Sequence, residues 1–122
     1  MTPTPINLSE KLSQFSDQWS PKIIAEMDGF HFKLAKLEGD FVWHSHSDTD
    51  EAFFVLEGQL RIDLRDGAVT LSKGEMLIVP KGVEHKPFAE AACHVMVLVR
   101  EGTVNTGDAA ENELTADPAA RI

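Results

Sequence analysis

The sequence has one cysteine, few basic residues and no long apolar run, and each shortage excludes a class of protein. A lone thiol, Cys93, cannot close an intrachain disulfide, so the chain is not a small secreted domain stapled by bridges, and a reducing compartment is expected. Eleven Lys and Arg stand against twenty Asp and Glu, a formal charge of -9. The mean field repels phosphate backbones and anionic lipid, which argues against nucleic acid and membrane surfaces as partners. Nowhere do apolar residues run for the roughly 18 positions a spanning helix needs. The opening stretch, "MTPTPINLSEKLSQF", lacks the basic region and apolar run of a secretory leader. A soluble, cytoplasmic protein is expected. Internal repeats and low-complexity tracts are also missing.

What is present suits one packed domain: 122 residues, 43% hydrophobic and 25% charged. Leu8, Leu12, Phe15 and Trp19 recur at helical spacing, with Asn7 placed to cap and Glu10 to reciprocate. The reading is a short helical segment over residues 1–21, closed by Ser20-Pro21. From Lys22 the period changes. Short stretches rich in Val, Ile and Phe alternate with turn dipeptides at Asp28-Gly29, Gly39-Asp40, Glu57-Gly58, Asp66-Gly67, Lys73-Gly74, Lys81-Gly82 and Glu101-Gly102. This punctuation signals an all-β sandwich or barrel over residues 22–102.

"QLRIDLR" puts Leu60, Ile62 and Leu64 on one face and Arg61, Asp63 and Arg65 on the other, and "FHFKLA" likewise groups Phe30, Phe32 and Leu34. "CHVMVLV" is apolar on both faces, as for a strand covered on both sides by the helix or by a second subunit, so a homodimer is expected. Residues 103–122 lose all periodicity and read as an extended arm or frayed tail. Four acids to one base in "GDAAENELTADPAARI" account for part of the net charge.

The stretch "HSHSDTDE", residues 44–51, carries two of only five histidines. On a strand running from about Phe41 to His46, Val42, His44 and His46 share one face while Trp43 and Ser45 take the other. Trp43 therefore reads as packing at a subunit contact. The two imidazoles stand about 7 Å apart at Cα, close enough for both rings to meet one ion at about 2 Å from each nitrogen. Glu51 opens the next strand on the face of Phe53 and Val55, where a carboxylate is costly unless something positive waits for it. In "GEMLIVPKGVEH" an apolar strand ends in the Pro80-Lys81-Gly82 turn, and His85 opens the following strand. Each piece alone is equally compatible with a polar turn or a structural histidine.

Together they resemble a known family. "GDFVWHSHSDTDEAFFVLEG" is similar to the first motif of the cupin superfamily: a glycine, HxH, a glutamate, then six residues to a second glycine. "GEMLIVPKGVEH" is similar to the second, G-x5-P-x-G-x2-H, fifteen residues further on. The resemblance is to small single-domain cupins, those of mannose-6-phosphate-isomerase-like type included, and covers residues 22–102. Two departures stand out. Four residues rather than five separate Gly39 from His44, and Ala89 replaces the asparagine often found four residues beyond the last histidine.

The resemblance implies a double-stranded β-helix, a jelly-roll barrel, in which His44, His46, Glu51 and His85 bind one divalent ion: Fe, Mn, Ni or Zn. Such a ligand set leaves two positions open in octahedral geometry. Parity suggests a pocket lined by Val42, Phe53, Val55, Leu60, Ile62, Phe88 and Met96, suited to a small, partly apolar ligand. No arginine or lysine clamp points inward on this reading, which weakens a phosphosugar isomerase, though Lys33 and Lys86 keep it open. The implied function is a metal-dependent enzyme of isomerase, dioxygenase or lyase type; the alternative is a non-catalytic small-ligand or metal-binding cupin. His31 and His94 lack spaced partners and read as structural, and Cys93 as a buried inert thiol.

Overall fold

A computed structural model describes residues 2–122. Seven strands follow one short helix: α1 (Leu8–Leu12), β1 (Lys22–Met27), β2 (Phe30–Asp40), β3 (Glu51–Glu57), β4 (Gln59–Leu64), β5 (Gly67–Ser72), β6 (Met76–Val79) and β7 (His85–Arg100). All ladders between them are antiparallel. The order β1-β2-β7-β3-β6 forms one layer, and β4 joins β7 to β5 in the other. The 16-residue β7 is the spine. Its first residues, His85 to Phe88, pair with β4, while His94 to Leu98 pair with β3, and β2 runs along its other edge. One strand thus belongs to both layers and rolls the sheet into the jelly-roll barrel that the motifs implied.

Between the layers lies a core in which Leu60, Ile62, Val55, Val95 and Cys93 are at most 1% exposed. Each large aliphatic side chain there stabilises the fold by roughly 1.5–3 kcal/mol. Two glycines matter for closure. Gly29, with φ 82, follows Asp28 at φ 52 in the two-residue turn between β1 and β2, the double left-handed conformation that matches the twist of paired strands. Gly58, between β3 and β4, has φ 81, and a Cβ there would fall 2.7 Å from the Ala92 carbonyl oxygen of β7. Only glycine lets these backbones approach.

Several expectations are corrected. The helix spans five residues, not the whole stretch to Trp19. Asn7 Oδ1 caps it by accepting from Glu10 N–H at 2.9 Å, but the reciprocal Glu10 side-chain bond is not made. Trp19 leaves the helical path with φ 55 and turns into the barrel, stacked on Phe41 at 4.7 Å with its indole N–H donated to Glu38 O. Burial of the ring against the sheet outweighs what a longer, exposed helix would gain. On β2 the alternation is as read but the faces are reversed: His31, Lys33, Ala35 and Leu37 point inward beside Val99, Val97, Val95 and Cys93, and Phe30 and Phe32 face outward. Residues 103–122 are not frayed. Side-chain-to-backbone bonds hold them: Asn105 Nδ2 donates to Trp19 O and Leu114 O, and Thr106 is 1% exposed.

Candidate metal centre

Phe41 to His46 do not form a regular strand. A single antiparallel bridge, His44 with His85, ties this stretch to the start of β7 through His44 N to His85 O (3.1 Å) and His85 N to His44 O (2.9 Å). The bridge sets two imidazoles side by side with ring centroids 4.3 Å apart, and His46 lies 5.0 Å from His44. Glu51, first residue of β3, reaches the same point: its Oε1 is 3.1 Å from His85 Nε2 and 3.4 Å from His46 Nε2. One ligand atom from each of the four residues lies within 4.8 Å of every other, and all four residues are buried. Donors about 2 Å from a shared ion must themselves be separated by roughly 3–4 Å, so the spacing fits.

Electrostatics point the same way. A carbonyl can only accept, so the 2.9 Å bonds from His44 Nδ1 to Val42 O and from His85 Nδ1 to Val83 O fix those nitrogens as N–H donors. In the neutral rings the Nε2 lone pairs are then left facing the centre, an arrangement in which a backbone carbonyl orients the ligand. His46 Nε2 is buried with no hydrogen-bond partner at all. Burial, then the neighbouring His85, push His44 down to about 4, so it stays neutral. For Glu51 burial alone would raise the pKa, but His46 and His85 outweigh it and hold the carboxyl at about 2. Burial likewise lowers His85, yet the Glu51 carboxylate and the Val83 carbonyl leave it raised overall. Converging lone pairs, an ionised carboxylate and an orphaned ring nitrogen in one dry spot are what a divalent cation would satisfy.

Beside this centre is a cavity of about 50 Å³, room for a few water molecules or a small organic group. His44 and Glu51 form one wall, and Trp19, Leu37, Phe41, Phe53, Pro87, Val95 and Val97 most of the rest. Phe53 is therefore where parity put it. Val55, Leu60 and Ile62 pack in the core, with Val42 against it, and do not line this cavity. Phe88 and Met96 are corrections: on β7 the odd-numbered residues turn inward, and Phe88 lies on the outer face under the Arg61 guanidinium, 4.4 Å from its ring centroid. Asn105 is the polar wall residue that is not a candidate ligand, and its amide is fully engaged, Nδ2 by two carbonyls and Oδ1 by Ala116 N–H.

Lys33 is an inward lysine, contrary to the reading of β2, but its Nζ lies 3.3 Å from both Thr103 O and Pro118 O and anchors the C-terminal segment. Lys86 pairs with Asp40 at 2.6 Å near the surface. The Trp43 ring is covered by Arg65, 3.8 Å above it. His31, buried, pairs with Glu26 at 2.9 Å, and burial raises Cys93 to about 11, so that thiol is inert. Sequence reasoning missed Trp19, Phe41 and the segment around Asn105 as parts of the site. Only the tail's lack of apolar period could have hinted at its role, and that pattern reads equally as disorder.

Comparison with known proteins agrees with this architecture. The family model of the cupin domain (Cupin_2) matches residues 30–100, more than half of the chain. A cupin-2 domain containing protein from Shewanella frigidimarina superposes with a TM-score of 0.75 at 55% identity, covering 76% of this chain and 91% of that one. Protein NMB1881 from Neisseria meningitidis does so with a TM-score of 0.74 at 38% identity, covering 80% and 99%. YdbB of Bacillus subtilis is 38% identical over 80 residues, and the match spans 65% of this chain and 65% of that relative's length. The jelly roll and both sequence motifs have their counterpart in that match, and the protein belongs to the cupin family.

Proposed function

We propose that this chain is a metal-dependent cupin that takes a small, weakly polar organic molecule into the cavity beside His44 and Glu51. The observation that carries the reading is that two of the four candidate ligands are also cavity wall, so a molecule in the cavity would be in reach of the ion. When bound, a divalent ion would polarise a coordinating oxygen, acidify a water, or, if iron, bring dioxygen and substrate together. The protein's own part is to present three imidazole nitrogens and a carboxylate, to keep His44 neutral by burial, and to exclude bulk water with Trp19, Phe41 and Phe53. Lys33 is tied to two carbonyls and is not free to grip a phosphate, which disfavours a phosphosugar substrate.

A second reading, a binder without turnover, is favoured by one observation: apart from the candidate ligands, no wall residue titrates. Turnover that needs a general acid or base would therefore have to draw on the ion's own water. Metal analysis after chelator-free purification tests the first step, with about one divalent ion per chain expected and none refuting it. Screening small neutral and anionic organics against the metal-loaded protein, with product analysis, separates enzyme from binder.

We also propose a homodimer. The outer face of the larger layer carries Phe32, Phe54, Met96 and Leu98, rimmed by Met27, Met76 and Ile78 at 57%, 50% and 55% exposure. A contiguous apolar surface of this kind favours a covering partner. No helix among the described residues is long and apolar enough to cross a membrane. The free thiol of Cys93 suits a cytoplasmic setting.

A further inference from the structure

Of the three candidate imidazole ligands, two have an evident orienting bond: Nδ1 of His44 and of His85 each donates to the carbonyl two residues earlier. For His46 the equivalent acceptor would be His44 O, which already receives His85 N–H, and no bond to its ring nitrogens is made. Something else must hold this ring. The neighbouring contacts come from the C-terminal segment, more than sixty residues away.

Ser45 lies between the two ligands, and a single residue answers its polar groups. Its backbone N–H donates to Asp108 Oδ1 at 2.7 Å, its hydroxyl donates to Asp108 Oδ2 at 3.1 Å, and its carbonyl accepts from Asp108 N–H at 3.0 Å. Gly107 presses on the same spot. A Cβ on it would fall 2.2 Å from Ser45 O and 3.1 Å from His46 Nδ1, so the segment's backbone lies directly against the ring edge. On the other side Gly82 N–H donates to His46 O at 2.8 Å. The segment itself is anchored by the Asn105 amide and by Lys33.

We propose that Gly107 and Asp108 are positioning residues for the metal ligand His46, so that the C-terminal segment is a working part of the metal centre. The geometry is a clamp: Asp108 fixes the peptide before His46, and the bare Cα of Gly107 leaves the ring one place to be. This rests on the metal reading above, and the test separates the two.

Zinc or cobalt affinity of the full chain is measured by chelator competition for wild type, Asp108→Ala, Asp108→Asn and Gly107→Ala, alongside the visible spectrum of the cobalt forms and the melting of the metal-free proteins. A supporting group of this kind is worth about tenfold in affinity, so Asp108→Ala should lose about that much and show an altered cobalt spectrum. Asp108→Asn keeps an acceptor for Ser45 N–H and a polar partner for its hydroxyl, and should retain most of the affinity. Gly107→Ala should weaken binding by displacing the ring.

Unchanged affinity in Asp108→Ala, even with lower melting, reduces the contact to a fold staple and overturns the proposal. Equal losses in the alanine and asparagine variants also overturn it, because the carboxylate would then act by charge alone. Should Asp108→Ala not fold, Ser45→Ala removes only the hydroxyl contact, and its loss of affinity or lack of one decides the matter in the same way. A wild-type protein that binds neither ion fails the metal reading itself.

Discussion

His46→Ala separates metal binding from folding cleanly. The ring is buried, 4% exposed at the side chain, and its Nε2 has no hydrogen-bond partner, so deleting it breaks no polar contact in the metal-free protein. The cost there is packing alone, roughly 1–3 kcal/mol, offset in part by removing an orphaned nitrogen. With metal the ring is one of four ligands, and removing a ligand outright should weaken affinity at least as much as the largest losses from supporting groups, about a hundredfold. At a free-metal level a thousandfold above its dissociation constant, the wild type gains about 4.1 kcal/mol from binding; the variant at the same level gains about 1.4. For a chain of 122 residues these convert to increases in melting temperature of about 16 °C and about 5 °C. Differential scanning fluorimetry with and without metal, beside metal analysis, reads both. Equal increases for wild type and variant would refute the ligand assignment, whatever happens to the metal-free melting temperature.

Other consequences are open to simple measurements. Metal-free protein should be most stable near pH 6.5. Below that the unfolded chain takes up a proton that buried His44, held at about 4, refuses, and stability falls by at most about 1.4 kcal/mol per pH unit. Above it, His85, raised on balance by Glu51, loses its proton and with it that stabilising contribution. Urea unfolding at pH 5, 6.5 and 8 in chelator should show the maximum, and a steady rise to pH 8 would count against the coupled cluster. Gly58→Ala should destabilise by about 1–3 kcal/mol, from backbone strain at φ 81 and the close Ala92 carbonyl, read by thermal melting. Ile78→Glu, at an exposed position on the outer face, should convert a dimer to a folded monomer in light scattering; a wild type that is already monomeric at micromolar concentration refutes the dimer.

Much of the metal centre was legible in order along the chain. HxH, a glutamate at the head of an apolar strand and a histidine just past a Pro-x-Gly turn are local patterns, and local patterns determine which residue types can meet. The alternation of strands β2, β4 and β7 was legible too, because period 2 follows from backbone geometry alone. Which face of a strand turns inward is another matter. On β2 the face with Phe30 and Phe32 looked like core, yet Lys33 and His31 are inside, since inwardness depends on how β7 is shared between two layers. The same ambiguity misplaced Phe88 and Met96.

The sequence by itself determined the strand-rich architecture, the turns that glycine must occupy and the four polar side chains able to hold an ion. Only the tertiary structure decided that Trp19 caps the cavity, that Asn105 and Lys33 pin an aperiodic segment, and that Asp108 grips the peptide between two ligands. Those contacts join positions up to 86 residues apart through single hydrogen bonds to backbone atoms. Any residue has a backbone carbonyl, so such a bond leaves no periodic trace in the chain and exists only once the barrel has closed.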